Sequence, residues 1–349
     1  MKRTWEVRYP CTNKVHLRFL LLQVTLHLLD SESPLVELIL EEVVQQADFD
    51  NHQYINKSYG VNDMSKKKTS IIILILAVLI ICIPEVYASQ MKKAKIYYKN
   101  KVIVLMYHHI DKTESGATIS PARFGTHMKL LDEKGYNVIS VEQFAEFMKK
   151  KIKVPNNAVV ITFDDGYDSF RQYAVPIMEK YGMVGTHFII GTSSDLHNVK
   201  TAHLTWEDMR DMKQEGHSFY SHTYDLHNYG PLNKDGSKTG PMLSNPLYLK
   251  DKGRVETDKE YLARITKDLS LMEQRLDEEL NNDYQMIAFP FGAFNEKSKK
   301  VLSDLGVTLF FTTRPGINKP GNDEIYRLNA GTPKLTANKF LERLEEYHD

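Results

Sequence analysis

Ala158-Val159-Val160-Ile161-Thr162-Phe163-Asp164-Asp165-Gly166 decides how the rest of this chain is read. An apolar run ends in two adjacent carboxylates and a glycine. Such a run suits a strand buried on both faces, as in a parallel sheet. The carboxylates then stand at the strand's carboxyl end, where parallel α/β folds place their sites. Further along comes Ser221-His222-Thr223-Tyr224-Asp225-Leu226-His227. Two imidazoles and two carboxylates suffice to bind one divalent metal and leave a base over. The pattern points to metal-assisted hydrolysis.

Outward from that stretch, short apolar runs alternate with helical periodicity. Strands are expected at 102–107, 158–163, 185–190, 217–221, 285–289 and 307–312. Helices are expected at 124–131, 141–148, 169–180, 205–215, 258–280 and 295–305, with a last one after Thr336. The clearest is 258–280, where Leu262, Ile265, Leu269, Met272, Leu276 and Leu280 recur at three- and four-residue spacing. Strands alternating with helices argue for a parallel sheet or barrel. Polar candidates fall at four strand ends: Tyr107-His108-His109, Asp164-Asp165, His222, and Pro290-Phe291-Gly292. Residues 228–257 carry Gly-Pro and Asp-Gly breaks and begin directly after His227. A connection of that length suggests a lid or binding loop, or a passive insertion.

The N-terminal part reads differently. Lys66-Lys67-Lys68 precedes the apolar run 71–83, and small residues follow at Ala88-Ser89. This is the pattern of a secretory signal peptide over 64–88, cut after Ala88. Its apolar run is shorter than the ~20 residues that span a bilayer; an uncleaved membrane tether through 71–83 is the alternative. Residues 1–63 are then either upstream translation from a misplaced start or a genuine extension. A catalytic domain over 89–349 remains. Both cysteines, Cys11 and Cys82, precede it. It therefore has no disulfide and no thiolate ligand, so any metal must rest on His and carboxylate. Net charge is zero over the chain, and no basic patch with interleaved aromatics marks a nucleic-acid partner.

His222 and His227 are five apart, a spacing that places two side chains on different faces of a regular helix. They converge only where a strand runs into a turn or where a helix starts irregularly. Other histidines, His187 and His203, read as core or surface residues, and Trp206 as packing.

Tyr107-His108-His109-Ile110, Thr162-Phe163-Asp164-Asp165-Gly166-Tyr167, Ser221-His222-Thr223 with His227, and Phe289-Pro290-Phe291-Gly292 occur in this order. Together they resemble the polysaccharide deacetylases, the NodB homology domain of carbohydrate esterase family 4, over roughly 100–335. The histidine spacing and the early Tyr-His resemble the branch that deacetylates poly-β-1,6-N-acetylglucosamine. The resemblance implies a distorted or incomplete (β/α) barrel. It implies an extracytoplasmic enzyme, secreted or at the cell wall, monomeric, that removes N-acetyl groups from an N-acetylglucosamine polysaccharide. Peptidoglycan and chitooligosaccharides are the alternative substrates, and a carbohydrate-binding pseudoenzyme the alternative class.

The same resemblance implies roles. Asp164 would be the general base. Asp165, His222 and His227 would hold a divalent metal, Zn²⁺ in the first place, with Co²⁺ or Ni²⁺ as alternatives. The Tyr167 backbone N–H would serve an oxyanion, and Pro290, Phe291 and Gly292 would wall the groove. Two departures stand out. Where many members carry an arginine before the third motif, this chain has Ala288, leaving Arg327 or Arg314 to hold the base. The general acid is either His348, in a late Leu344-x-x-x-His match, or His108 or His109, or Asp164 itself returns water's proton with a histidine assisting.

Overall fold

The computed structural model describes residues 95–196 and 200–349. The expectations for 1–63 and 64–88, including the tether, lie outside the described residues. Among the described residues, no helix is long and apolar enough to cross a membrane.

The strands, in chain order, are β1 (Val102–Tyr107), β2 (His109–Ile110), β3 (Thr118–Ile119), β4 (Asn137–Val138), β5 (Ala158–Phe163), β6 (Thr186–Ile189) and β7 (Ser218–Ser221). Then follow β8 (Tyr229–Pro231), β9 (Thr239–Pro241), β10 (Tyr248–Leu249), β11 (Arg254–Val255), β12 (Met286–Ala288), β13 (Leu309–Phe311), β14 (Glu324–Ile325) and β15 (Leu328–Asn329). The helices are α1 (Pro121–Glu133), α2 (Val141–Met148), α3 (Val175–Glu179), α4 (Gly191–Leu196), α5 (Trp206–Gln214), α6 (Asp258–Leu280), α7 (Glu296–Asp304) and α8 (Ala337–Glu345).

The main sheet runs β14-β13-β12-β7-β6-β5-β1-β15, with β4 alongside the start of β5. Its paired strands are parallel. The two outermost strands, β14 and β15, are separated in sequence only by Tyr326 and Arg327. One short segment thus borders both edges, which curls the sheet into a distorted barrel. Burial on both faces explains the uniformly apolar composition of the central strands: every residue of β1 and β5 is buried.

Register levels the strand ends. β1 and β5 pair from Val102↔Ala158 through Tyr107↔Phe163, so His108 emerges beside Asp164. Ile189 pairs with Ser221, so His222 emerges beyond β6. Helix starts follow the sequence: Thr205 and Thr257 each close a capping box with the residue three further on. α6 buries Ile265, Leu269, Met272, Leu276 and Leu280 as its spacing predicts; each such side chain contributes about 1.5–3 kcal/mol.

Two expectations are corrected. The segment 169–180 is not one regular helix. A π-helical turn over Phe170–Ala174 precedes α3, and the Val175 N–H reaches back to Phe170 O. Pro176, at the second position of α3, has no N–H to continue a regular ladder. The connection 228–257 is not a structureless loop. It folds into two hairpins, β8–β9 and β10–β11. Arg264 of α6 pins it, donating to Met242 O (2.9 Å), Asn245 O (3.0 Å) and the Glu256 carboxylate (2.8 and 2.9 Å). The Tyr261 hydroxyl adds a bond to Leu243 O (2.7 Å).

Candidate metal and catalytic site

β5 delivers both carboxylates to one turn. The Asp164 N–H continues the ladder to Tyr107 O (3.0 Å). Asp165 and Gly166 then take left-handed φ values of +78° and +85°. Asp enters that region more readily than most residues, and Gly freely. The turn sends the two carboxylates to different partners. Beneath it lies the buried His187 ring, with Nε2 2.9 Å from Gly166 N and 3.0 Å from Asp164 O. Burial pushes that imidazole down to about 4, so it is neutral and supports the turn.

Asp164 meets Arg327. The guanidinium donates Nη1 to Oδ1 (2.7 Å) and Nη2 to Oδ2 (2.8 Å), a bidentate fork between buried groups. Arg327 also donates Nε to Thr312 O (2.8 Å). It lies between β14 and β15, where the two sheet edges meet. Burial alone raises the Asp164 carboxyl, but Arg327, His222 and His108 outweigh it and hold the group below the usual carboxylate range. Arg314, the other arginine considered, is instead exposed and paired with Glu324 (2.9 Å). His108 Nε2 stands 4.0 Å from Asp164 Oδ2.

Asp165 faces the two histidines. Its Oδ1 is buried without a hydrogen-bond partner, 3.4 Å from His222 Nε2 and 3.2 Å from His227 Nε2. His222 Nδ1 lies 2.7 Å from Ala288 O and donates to it. That bond leaves the His222 Nε2 lone pair facing Asp165 in the neutral ring. Burial lowers His222, but the Asp165 and Asp164 carboxylates overcome it and raise the ring above its ordinary value. The pocket therefore attracts positive charge. One donor atom from each of Asp165, His222 and His227 lies within 4.8 Å of the others. An orphaned carboxylate oxygen facing two imidazole nitrogens is a donor set that fits a divalent ion. Three protein ligands leave positions open for chemistry.

The chain between the histidines is strained. Thr223 is fully buried with φ +72°, rare for a β-branched residue. The strand end and this turn let residues five apart converge. Past β12, Phe291 adopts φ +58° and is 43% exposed. Its ring packs against His227 (4.5 Å) and Tyr229 (4.7 Å). Gly292 (φ +66°) lies so close to Thr313 that an added Cβ would sit 2.2 Å from Oγ1. A cleft of 410 Å³ on the other side of His227 is lined by Tyr167, Thr192, Ser193, His203, Asp225 and Asn228. The Tyr167 hydroxyl is raised to about 12 by burial and by Asp165.

His348 is not brought to this site. Its Nε2 lies 2.8 Å from the Tyr136 hydroxyl and its ring stacks on Tyr97 (4.1 Å). These residues cluster where β1 and β5 begin, with Asp349 N bonded to Tyr97 O (2.8 Å). The late Leu-x-x-x-His match is thus at the opposite end of the barrel from Asp164, too far for proton transfer. Trp206 packs as expected and donates Nε1 to Asp195 (2.7 Å). Sequence reasoning missed Asp268 and Asp195, which brace the histidine turn; single acidic residues in amphipathic helices give no local signal.

A family model for polysaccharide deacetylase matches residues 151–310. A Bacillus subtilis protein, YxkH, whose name goes no further than polysaccharide deacetylase, is 29% identical over 216 residues, covering 62% of this chain and 66% of its own length. The Escherichia coli K12 poly-β-1,6-N-acetyl-D-glucosamine N-deacetylase is 27% identical over 253 residues, covering 68% of this chain. The chain spans only 38% of that relative's length. Among solved structures, a de-N-acetylase from Aggregatibacter actinomycetemcomitans superposes with a TM-score of 0.62 at 27% identity, covering 69% of this chain and 99% of that one. With the barrel and the matched motif region, these likenesses point one way: over residues 151–310 the chain is similar to the polysaccharide deacetylase family.

Proposed function

We propose that this protein is an extracytoplasmic, metal-dependent hydrolase that removes N-acetyl groups from a polymer of N-acetylglucosamine, releasing acetate. The observation that carries the reading is the division of labour between two adjacent carboxylates. Asp164 is forked to Arg327, whereas Asp165 faces His222 and His227 with an unpartnered oxygen. Asp165, His222 and His227 would hold a divalent ion, which would supply Lewis-acid polarisation of the acetamide carbonyl and acidify a water.

The chain's own residues do the rest. Arg327 keeps Asp164 ionised and fixes its plane, so the carboxylate takes the proton from attacking water. The Tyr167 backbone N–H, next to the turn, donates to the oxygen that gains charge. His108, close to Asp164, protonates the departing amine, with His109 as the neighbouring alternative. Pro290, Phe291 and Gly292 form one wall of the groove. The exposed Phe291–Tyr229 pair gives a sugar ring an apolar face to lie on. The cleft lined by Thr192, Ser193 and His203 suits polar contacts to the polymer on the other side.

The arginine absent before the third motif is the main support for a pseudoenzyme reading, and Arg327 in its place removes that support. Relatives named for poly-β-1,6-N-acetyl-D-glucosamine favour that polymer over peptidoglycan or chitooligosaccharides. The extracytoplasmic location rests on the basic–apolar–small pattern over 64–88. The test is acetate release from poly-β-1,6-N-acetylglucosamine, chitin oligomers and peptidoglycan, with and without chelator. Release from the first, abolished by chelation and restored by Zn²⁺ or Co²⁺, is expected. Equal release with chelator present removes the metal; no release from any of the three removes the deacetylase.

A further inference from the structure

We infer that Asp268, on α6, is a positioning residue that sets the spacing of His222 and His227 by holding the backbone between them. The inference rests on the metal reading of the preceding subsection. The chain leaves β7 at Ser221 and must return a second imidazole to Asp165 by residue 227. Thr223 reaches a left-handed conformation to do so. The next two amides need acceptors, and Asp268 supplies both. Its Oδ1 accepts from Tyr224 N (3.0 Å) and its Oδ2 from Asp225 N (2.8 Å).

Three features make this a holder of the site rather than an incidental bond. Both carboxylate oxygens are used, one on each of two consecutive amides, which fixes the orientation of that stretch and not merely its position. Burial pushes the Asp268 carboxyl up to about 6, so at neutral pH and above it is an ionised acceptor, which makes each bond stronger than a neutral one. The helix beneath is anchored, with the neighbours Ile265 and Leu269 buried in the core. On the opposite side, Thr192 N bonds Tyr224 O (2.9 Å) and the Tyr224 hydroxyl bonds Asp195 (2.9 Å). The turn is therefore gripped from α4 and α6 together, with Asp268 holding the two central N–H groups, those of Tyr224 and Asp225. Groups that orient metal ligands from outside are worth about 10–100-fold in metal affinity.

The test uses the full chain stripped of metal. Zn²⁺ affinity is measured by competition with a chromogenic chelator, and ligand geometry by visible absorption of the Co²⁺ form. Asp268→Ala should weaken Zn²⁺ about 10–100-fold and change the Co²⁺ spectrum. Asp268→Asn keeps one acceptor oxygen, so it should lose less. Asp277→Asn, on the exposed face of the same helix, should leave both readouts at the wild-type value. Thermal unfolding of each metal-free chain gives the folded fraction. Wild-type affinity and spectrum in Asp268→Ala overturn the inference, as does a loss no larger than the unfolded fraction explains. A wild-type chain that binds neither ion overturns the metal reading and this inference with it.

Discussion

β5 carries a short polar residue in left-handed conformation at each end, and the two are treated in opposite ways. Before the strand, Asn157 (φ +55°) is 1% exposed and fully satisfied. Its Oδ1 accepts from Tyr97 N (2.7 Å) and Tyr98 N (3.2 Å). Its Nδ2 donates to Lys95 O (2.8 Å) and Gly135 O (3.1 Å). After the strand, Asp165 has equally unusual backbone and a buried oxygen with no hydrogen-bond partner. Backbone strain is common to both. What separates the structural end from the candidate functional end is satisfaction: one side chain is used up by the fold, the other is left for something outside it.

The widest separation is expected for Asp165→Ala. It should abolish metal binding and reduce acetate release to background, while the metal-free chain keeps its thermal stability, because the fold makes no use of that oxygen. Mass-spectrometric metal content and calorimetry check both halves. Next, Asp164→Asn should retain metal and lower turnover by roughly 10²–10⁴-fold, the usual share of general acid–base catalysis. Equal metal loss in both variants would break the division between the neighbours.

Asn157→Ala should do the reverse of Asp165→Ala. Stranding the Tyr97 and Tyr98 amides and two carbonyls should destabilise the fold by about 3 kcal/mol, read by denaturant unfolding. Turnover per folded molecule should stay unchanged. A smaller effect is expected at Glu273, on α6, another carboxyl with a buried unpartnered oxygen. It has no imidazoles facing it, and burial pushes it up to about 8 from an ordinary 4.5. Between those values the folded chain holds a proton that the unfolded chain has lost. Stability therefore falls as pH rises through that window. Glu273→Gln should flatten the fall, raising Tm at pH 8 by about 3 °C with little change at pH 4.5. The smallest effect belongs to His348→Ala, which should leave turnover within about threefold, because its partners lie at the Asn157 end. An inactive, folded and metallated His348→Ala would return the acid to that residue.

Local pattern made much of this legible. The uniformly apolar β1 and β5, the period of α6 and the boxes opening at Thr205 and Thr257 are properties of neighbouring residues. So is the presence of polar groups at strand ends. What stayed out of reach depends on long-range contact. Arg327 could be named beside Arg314 but not chosen, because 163 residues separate it from Asp164. β14 and β15 are two residues each, too short to show alternation. The hairpins of 228–257 are similarly short, and their anchor, Arg264, sits on a helix that had already been accounted for by its apolar face. His348 failed for the complementary reason: its letters match a motif, but letters do not record which end of a barrel a helix reaches.

The segment β14–Tyr326–Arg327–β15 has a consequence for timing. It is synthesised after the strands that carry the other residues of the site, yet it supplies both the seam of the barrel and the cation that forks Asp164. A nascent chain that has made only the strands through β13 carries both carboxylates and both histidines but not that guanidinium. A buried carboxylate without its cation takes up a proton and ceases to be a base. On the proposed function, Asp164 is therefore fit to serve as a base only once the seam is drawn shut.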